Sequence, residues 1–185
     1  MAKTFDGVAD TLGQWLIEQP LFCVATAPLS GDGLVNTSPK GNRHEFAVIT
    51  PYRVAYLDQT GSGVETIAHL RENGRIVVMF FAVAGAPRIV RLHGRGRVVE
   101  RDDPDFAEFA GHFPHAHDVG VRSIIVIDLE RVSDSCGYGV PLMDFVEHRH
   151  TMDQWSRRKG PEGIRDYWSE HNLASVDGLD GLTPP

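Results

Sequence analysis

Cysteine is scarce in this sequence: 185 residues hold only two, Cys23 and Cys136. Two thiols cannot build a disulfide framework, and a reducing cytoplasm is the expected compartment. Long hydrophobic runs are also missing. The longest, Ile76 to Gly85, is too short to cross a bilayer, so no membrane partner is expected. Met1 to Asp10 has no basic stretch leading into an apolar run, so no secretory signal is expected. Positive charge is in deficit, with 18 Lys and Arg against 25 Asp and Glu and a net charge of −7. That excludes a general nucleic-acid binder, which needs a basic surface to displace counterions. There is no P-loop and no G-x-S-x-G, and Gly94-Arg95-Gly96 sits inside a strand pattern, not at a strand-to-helix turn. No internal repeat or low-complexity segment occurs.

What is present suits one domain spanning 1–185. The hydrophobic fraction, 42%, is ordinary for a chain with a core. Phe5, Val8, Leu12 and Trp15 recur at helical spacing and predict an amphipathic helix over 4–18. Leu21 to Ala27 is apolar on both faces and reads as a covered strand. The turn Ser30-Gly31-Asp32-Gly33 leads to a short strand from Leu34 to Ser38. Further strands are predicted at Arg53 to Asp58, Ile76 to Val83, Arg88 to Arg101 and Ser123 to Val132. A helix lies between the Thr60-Gly61-Ser62-Gly63 loop and the stop at Asn73-Gly74. Another opens at Asp103-Pro104, with Phe106, Phe109, Ala110 and Phe113 as its apolar stripe. Helices and strands do not alternate regularly, which argues against a doubly wound parallel sheet. The pattern predicts a mainly β protein: a six-stranded antiparallel barrel over about 21–135, with peripheral helices and a helical or irregular segment over 142–185.

Three stretches hold residues that could do chemistry. Along Leu34 to Lys40, alternation puts Asn36, Ser38 and Lys40 on one face and Val35 and Thr37 on the other. That polar row lines either a ligand groove or a solvated edge strand guarded by Lys40 and Pro39. In the second stretch, Gly61-Ser62-Gly63-Val64-Glu65-Thr66 enters a helix, whose free N–H groups favour an anion. Ser62 and Glu65 also spell a capping box, which would satisfy the same donors internally. The third is the row Arg91, His93, Arg95 and Arg97, two residues apart on one strand. Cations this close need an anionic ligand or carboxylates on a neighbouring strand. Gly94 and Gly96 mark a bend or bulge beside them. His112, His115 and His117, and His148 with His150, lack a second ligand type at metal spacing, so no metal is expected. Cys136, in Ser135-Cys136-Gly137-Tyr138-Gly139-Val140-Pro141, reads as part of a turn.

The order of these pieces resembles the pyridoxamine 5′-phosphate oxidase-like family of flavin-binding split β-barrels. The resemblance runs through Phe22 to Ala27, Val35 to Gly41, Ala55 to Gly63, Glu65 to Asn73 and Arg88 to Val99. Ser135 to Pro141 and Asn172 to Leu179 look like signatures of one bacterial subgroup. It covers about residues 20–180 and rests on the order and spacing of the motifs together. It implies a homodimer with FMN between subunits and a small-molecule substrate; related barrels bind the deazaflavin F420, and others serve as flavin or haem modules. It implies that the strand of Val35, Asn36, Thr37, Ser38, Pro39 and Lys40 runs along the flavin ring. Thr60, Gly61, Ser62 and Thr66 would meet the phosphate. Glu65 and Thr66 stand where the family oxidase has basic residues, so Arg88 or Arg91 would have to supply positive charge. The resemblance implies an oxidoreductase, in which flavin carries the redox chemistry; no catalytic side chain is assigned.

The namesake reaction is not expected. The oxidase holds its substrate with an Arg-x-His near the C-terminus, whereas no basic residue follows His171 here, and Asp177 and Asp180 are acidic. Arg91-Leu92-His93 has those letters but lies mid-strand. Losing an Arg–phosphate clamp should lower kcat/KM for pyridoxamine 5′-phosphate by about two orders of magnitude or more. Oxygen uptake by FMN-loaded protein checks this; turnover near about 1 s⁻¹ or faster would contradict it.

Overall fold

The computed structural model describes residues 3–184. Among them run eight strands and four helices. In chain order they are β1 (Lys3–Phe5), α1 (Asp10–Glu18), β2 (Leu21–Thr26), β3 (Asn36–Gly41), β4 (Phe46–Thr50), β5 (Arg53–Gln59), α2 (Glu65–Asn73), β6 (Arg75–Phe81), β7 (Ile89–Glu100), α3 (Phe106–Ala110), β8 (Val121–Ser135) and α4 (Thr151–His171). Every strand pairing is antiparallel, in the order β3-β2-β6-β7-β8-β5-β4, with β1 beside β8. The sheet curls into an open half-barrel, and its first and last strands do not pair with each other.

Six strands are expected from the sequence and eight are found. The added ones are β1, three residues that complete an edge of β8, and β4, a short apolar piece running into the turn at Pro51. The pairing of Lys3–Phe5 with β8 also shortens the expected helix, which starts at Asp10 and buries Leu12 and Leu16. The strand expected at Leu34 begins two residues later, leaving Leu34 and Val35 exposed.

Alternation determines what each strand buries. Phe22 and Val24 of β2, Val78 and Phe80 of β6, and Val90 and Leu92 of β7 point inward and are fully buried. Phe22 is the centre of an aromatic knot, with ring centroids 5.6 Å from Phe46, 5.6 Å from Tyr56 and 5.2 Å from Phe80. Helix α2 packs against β2, β6 and β7 and adds Ile67 and Leu70 to this core. The outward residues of β8, Ile124 and Val126, join Phe106, Phe109 and Phe113 of the α3 region in a second cluster. β8 is therefore covered on both sides from Val121 to Ile127. Each end of the sheet is interrupted: Pro39 sits in edge strand β3, and the β4–β5 register shifts between Val48 and Thr50. No helix is long and apolar enough to cross a membrane among the described residues.

The long β7–β8 pairing has a register shift at His93/Gly94, where Glu130 of β8 is the unpaired extra residue. A Cβ at Gly94 would collide with the carbonyl of Asp128 on that strand. Gly94→Ala should therefore destabilise the fold by about 1–3 kcal/mol, the usual cost of overpacking. Gly31→Ala, where a Cβ meets nothing within 4 Å, is the control. Urea unfolding of both variants checks the difference.

Candidate functional site

The predicted residues separate onto two sides of the sheet. Opposed residues of an antiparallel pair point the same way. Asn36, Ser38 and Lys40 lie opposite Thr26, Val24 and Phe22, so they face the barrel interior. Arg91 lies opposite Met79, itself opposite Cys23 and then Pro39, a row on the outer face. His93 and Arg95 follow Arg91 outward. The polar strand and the basic strand thus use opposite faces within one chain.

Each outer cation already has a partner. Arg88 pairs with Asp134 at 3.1 Å and lies between the rings of Phe5 and Trp15. Arg91 donates to Ser135 Oγ at 3.1 Å, Arg95 to Glu130 at 3.0 Å, and Arg97 to Asp105 at 2.9 Å. Neither Arg88 nor Arg91 is brought to Ser62 within the chain; Arg88 lines a separate groove with Trp15, Val83 and Cys136.

On the inner side, much of the polar row is spent on structure. Asn36 Nδ2 donates to Thr66 Oγ1 at 3.0 Å and to Thr26 Oγ1 at 3.2 Å, and Ser38 Oγ donates to Asn36 Oδ1 at 3.1 Å. Thr26 is also bonded to His69 Nδ1 at 2.9 Å, and burial holds that imidazole below its usual range. These bonds tie β3 and β2 to the start of α2. Thr60 is equally committed: its hydroxyl donates to the Gly120 carbonyl at 2.7 Å and accepts from Trp168 Nε1 at 2.8 Å. The capping box does not form. Val64 occupies the cap position without a side-chain bond, and Glu65 instead accepts from the Val176 N–H.

Lys40 leads to a group that sequence patterns do not reveal. Its ammonium lies 3.3 Å from Asp58 of β5, and the other Asp58 oxygen accepts from Arg122 Nε at 2.6 Å. Asp58 and Arg122 are both buried. Burial pushes the Asp58 carboxyl up, but Arg122 and Lys40 outweigh it and hold the group below the usual carboxylate range. Arg122 continues to Asn172 Oδ1 at 3.0 Å, and Asn172 Nδ2 donates to the Gly61 carbonyl at 3.0 Å. A buried chain of contacts therefore runs from Lys40 to the Gly61-Ser62 loop and on to the end of α4. The sequence signal was the Asn172 to Leu179 stretch, whose role is invisible without the fold.

Two adjoining cavities open on that loop. One, of about 460 Å³, is lined by Pro39, Lys40, Gly41, Glu45, Gly61 and Arg149, among others. The second, of about 760 Å³, shares Thr60, Gly61, Arg149 and Met152 with the first and adds Ser62. Gly61 faces open space on its side-chain side. Among the described residues, Arg149, Arg158 and Lys159 have no carboxylate partner, and all three line the second cavity. Positive charge beside Ser62 comes from α4 and the segment leading to it, not from β7. Glu45 in the first cavity accepts from Gln59 at 3.1 Å, and burial raises its carboxyl above the usual range. Among the described residues, no three His, Cys, Asp or Glu side chains come together as a metal site would require.

The comparisons with known proteins agree with this architecture. The family model described as pyridoxamine 5′-phosphate oxidase matches residues 8–136. The chain belongs to the pyridoxamine 5′-phosphate oxidase family. It is 39% identical over 194 residues to the pyridoxamine 5′-phosphate oxidase family protein ustO of Aspergillus flavus, covering 96% of this chain and 77% of that one. Its fold is similar to a crystal structure of HupZ from Group A Streptococcus, with a TM-score of 0.52, 20% identity and coverage of 69% of this chain and 99% of that one. The family match ends before α4, so this family member completes the cavity at Ser62 with residues beyond the matched region.

The Asp58 pair makes an acid-stability prediction. A carboxyl held below its unfolded value contributes stability above about pH 4, lost as pH falls through the folded value. Asp58→Asn should remove that acid sensitivity and leave Arg122 buried without its counter-charge, at a cost of roughly 3–5 kcal/mol. Urea midpoints measured from neutral pH downward should fall for the parent below about pH 4 and run flatter for the variant.

Proposed function

We propose that this family member is an FMN-dependent oxidoreductase acting on a small molecule, with its flavin in the cleft between β3, the Gly61-Ser62 loop and Arg149. The observation that carries the reading is Arg149. It borders both cavities at the open Gly61 and has no carboxylate partner among the described residues. The donor set fits an anionic, planar cofactor. Ser62 offers a hydroxyl and Arg149 a charge for a phosphate, and charge-assisted hydrogen bonds of this kind are the strong ones. Pro39, Lys40 and Gly41 line the cavity that would receive the ring. When bound, flavin supplies hydride or electron transfer.

The chain's own residues supply position. Asp58 holds Lys40 in place at the cavity wall. Glu45 lines the same cavity, where burial raises its carboxyl above the usual range. Trp168 and Asn172 fix the phosphate loop through Thr60 and the Gly61 carbonyl.

We propose a homodimer as part of the same reading. Val77, Met79 and Phe81 of β6, with Cys23 of β2 and Ile89 of β7, form an outer row that is only half-buried in one chain. β8 is covered on both faces along Val121 to Ile127 and does not offer that surface. The protein should purify yellow or bind added FMN with a Kd at or below about the micromolar range. Arg149→Glu should weaken binding roughly ten- to a hundredfold, read by the quenching of flavin fluorescence. Met79→Asp should give a monomeric mass in light scattering with the core intact. Absence of any flavin binding would overturn the reading.

A further inference from the structure

α4 is two helices in one. Gly160 has φ 70° and ψ 174°, a conformation that only glycine takes easily, and Pro161 restarts the helix. The break folds the second half back, so residues twelve positions apart meet. The Trp155 and Tyr167 rings pack edge to face, with centroids 5.0 Å apart at 83°. Tyr167 in turn meets His171 at 4.5 Å. Lys159 Nζ stands 5.4 Å from the Trp155 centroid and 5.3 Å from that of Tyr167. Both rings are only half-buried and line the 760 Å³ cavity together with the Gly61-Ser62 loop.

The charge around this cavity runs against the rest of the molecule. Arg149, Arg158 and Lys159 line the cavity against a single carboxylate, Glu170, in a chain of net charge −7. None of the three cations has a carboxylate partner among the described residues, so their charge is available to a ligand. Aromatic faces offer stacking area at little entropic cost, and flanking cations select the sign of what stacks there.

We propose that the folded-back α4 forms a substrate subsite for an aromatic anion, a planar ring bearing a carboxylate, sulfonate or phosphate. Trp155 and Tyr167 take the ring, and Arg158 and Lys159 take the charge. The subsite opens beside the flavin cleft through the shared Gly61, Arg149 and Met152. It deepens the flavin reading by naming a substrate class, and it lies on a segment outside the residues matched by the family model.

The probes are 2-naphthoate and its cationic counterpart 2-naphthylmethylamine, titrated against the full-length protein and followed by tryptophan emission. 2-Naphthoate should quench emission saturably in both flavin-free and FMN-loaded protein. The amine should bind about tenfold or more weakly, because the pocket's charge selects against it. Trp155→Leu should abolish saturable 2-naphthoate binding, read by equilibrium dialysis, with FMN affinity held within about twofold, and Arg158→Glu with Lys159→Glu should weaken 2-naphthoate about tenfold or more in the flavin-free protein. Circular dichroism confirms that each variant remains helical. Equal binding of the two probes, or full binding by the charge-reversed variant, would overturn the subsite. Displacement of FMN by 2-naphthoate would also overturn it, by making the cleft the flavin's own. Flavin binding is read separately from flavin absorbance, so its failure is distinguishable from failure of the subsite.

Discussion

The fully buried carboxylate of Asp58 is the constraint around which the site is arranged. A charge taken out of water survives only with close counter-charges and hydrogen bonds. Arg122 and Lys40 provide them from two different strands, and Arg122 brings in Asn172 from the end of α4. One carboxylate thereby joins β3, β5, β8 and the C-terminal segment. The Gly61-Ser62 loop inherits its position from the same junction, because Asn172 holds the Gly61 carbonyl. Removing one member of such a junction leaves a buried charge alone, which is costly.

The same arrangement explains why so little of the polar row is free for a ligand. Asn36, Ser38, Thr60 and Thr66 look available in the sequence, yet their hydrogen bonds are made within the protein. They hold the walls, and the open positions are left to Ser62, to the bare Gly61 and to Arg149. Lys40 is intermediate, at the cavity wall but already paired.

Much of the fold was legible because its strands are short apolar or β-branched runs between turn residues. Leu21 to Ala27 and Ile76 to Val83 stand out as such runs, though each buries only one face fully, and the family order supplies the rest. β1 and β4 were missed because three- and five-residue strands carry too little pattern to stand out from a turn. The basic row was legible as a row. Its side of the sheet was not, since alternation separates two faces without saying which one a cofactor would use. The apolar partners Val90 and Leu92 were the available hint, because the face they leave behind must look outward. The cations beside Ser62 lie almost a hundred residues from it in sequence, at Arg149, Arg158 and Lys159. Contacts between segments far apart in sequence, Arg43 with Asp153 and Trp168 with Thr60, hold α4 beside the loop, and local sequence carries no sign of which loop a helix will cover.

The open sheet has two ends, and both are spoiled for further growth. A strand edge with an unbroken ladder of N–H and C=O groups would template another chain. β3 carries Pro39, which has no N–H to offer, and β4 loses its regular spacing between Val48 and Thr50. Neither edge can be extended residue by residue. Molecules that meet through their sheets are left with their faces, where side chains determine the partner, so a barrel left unclosed carries its own guard against edge-to-edge growth.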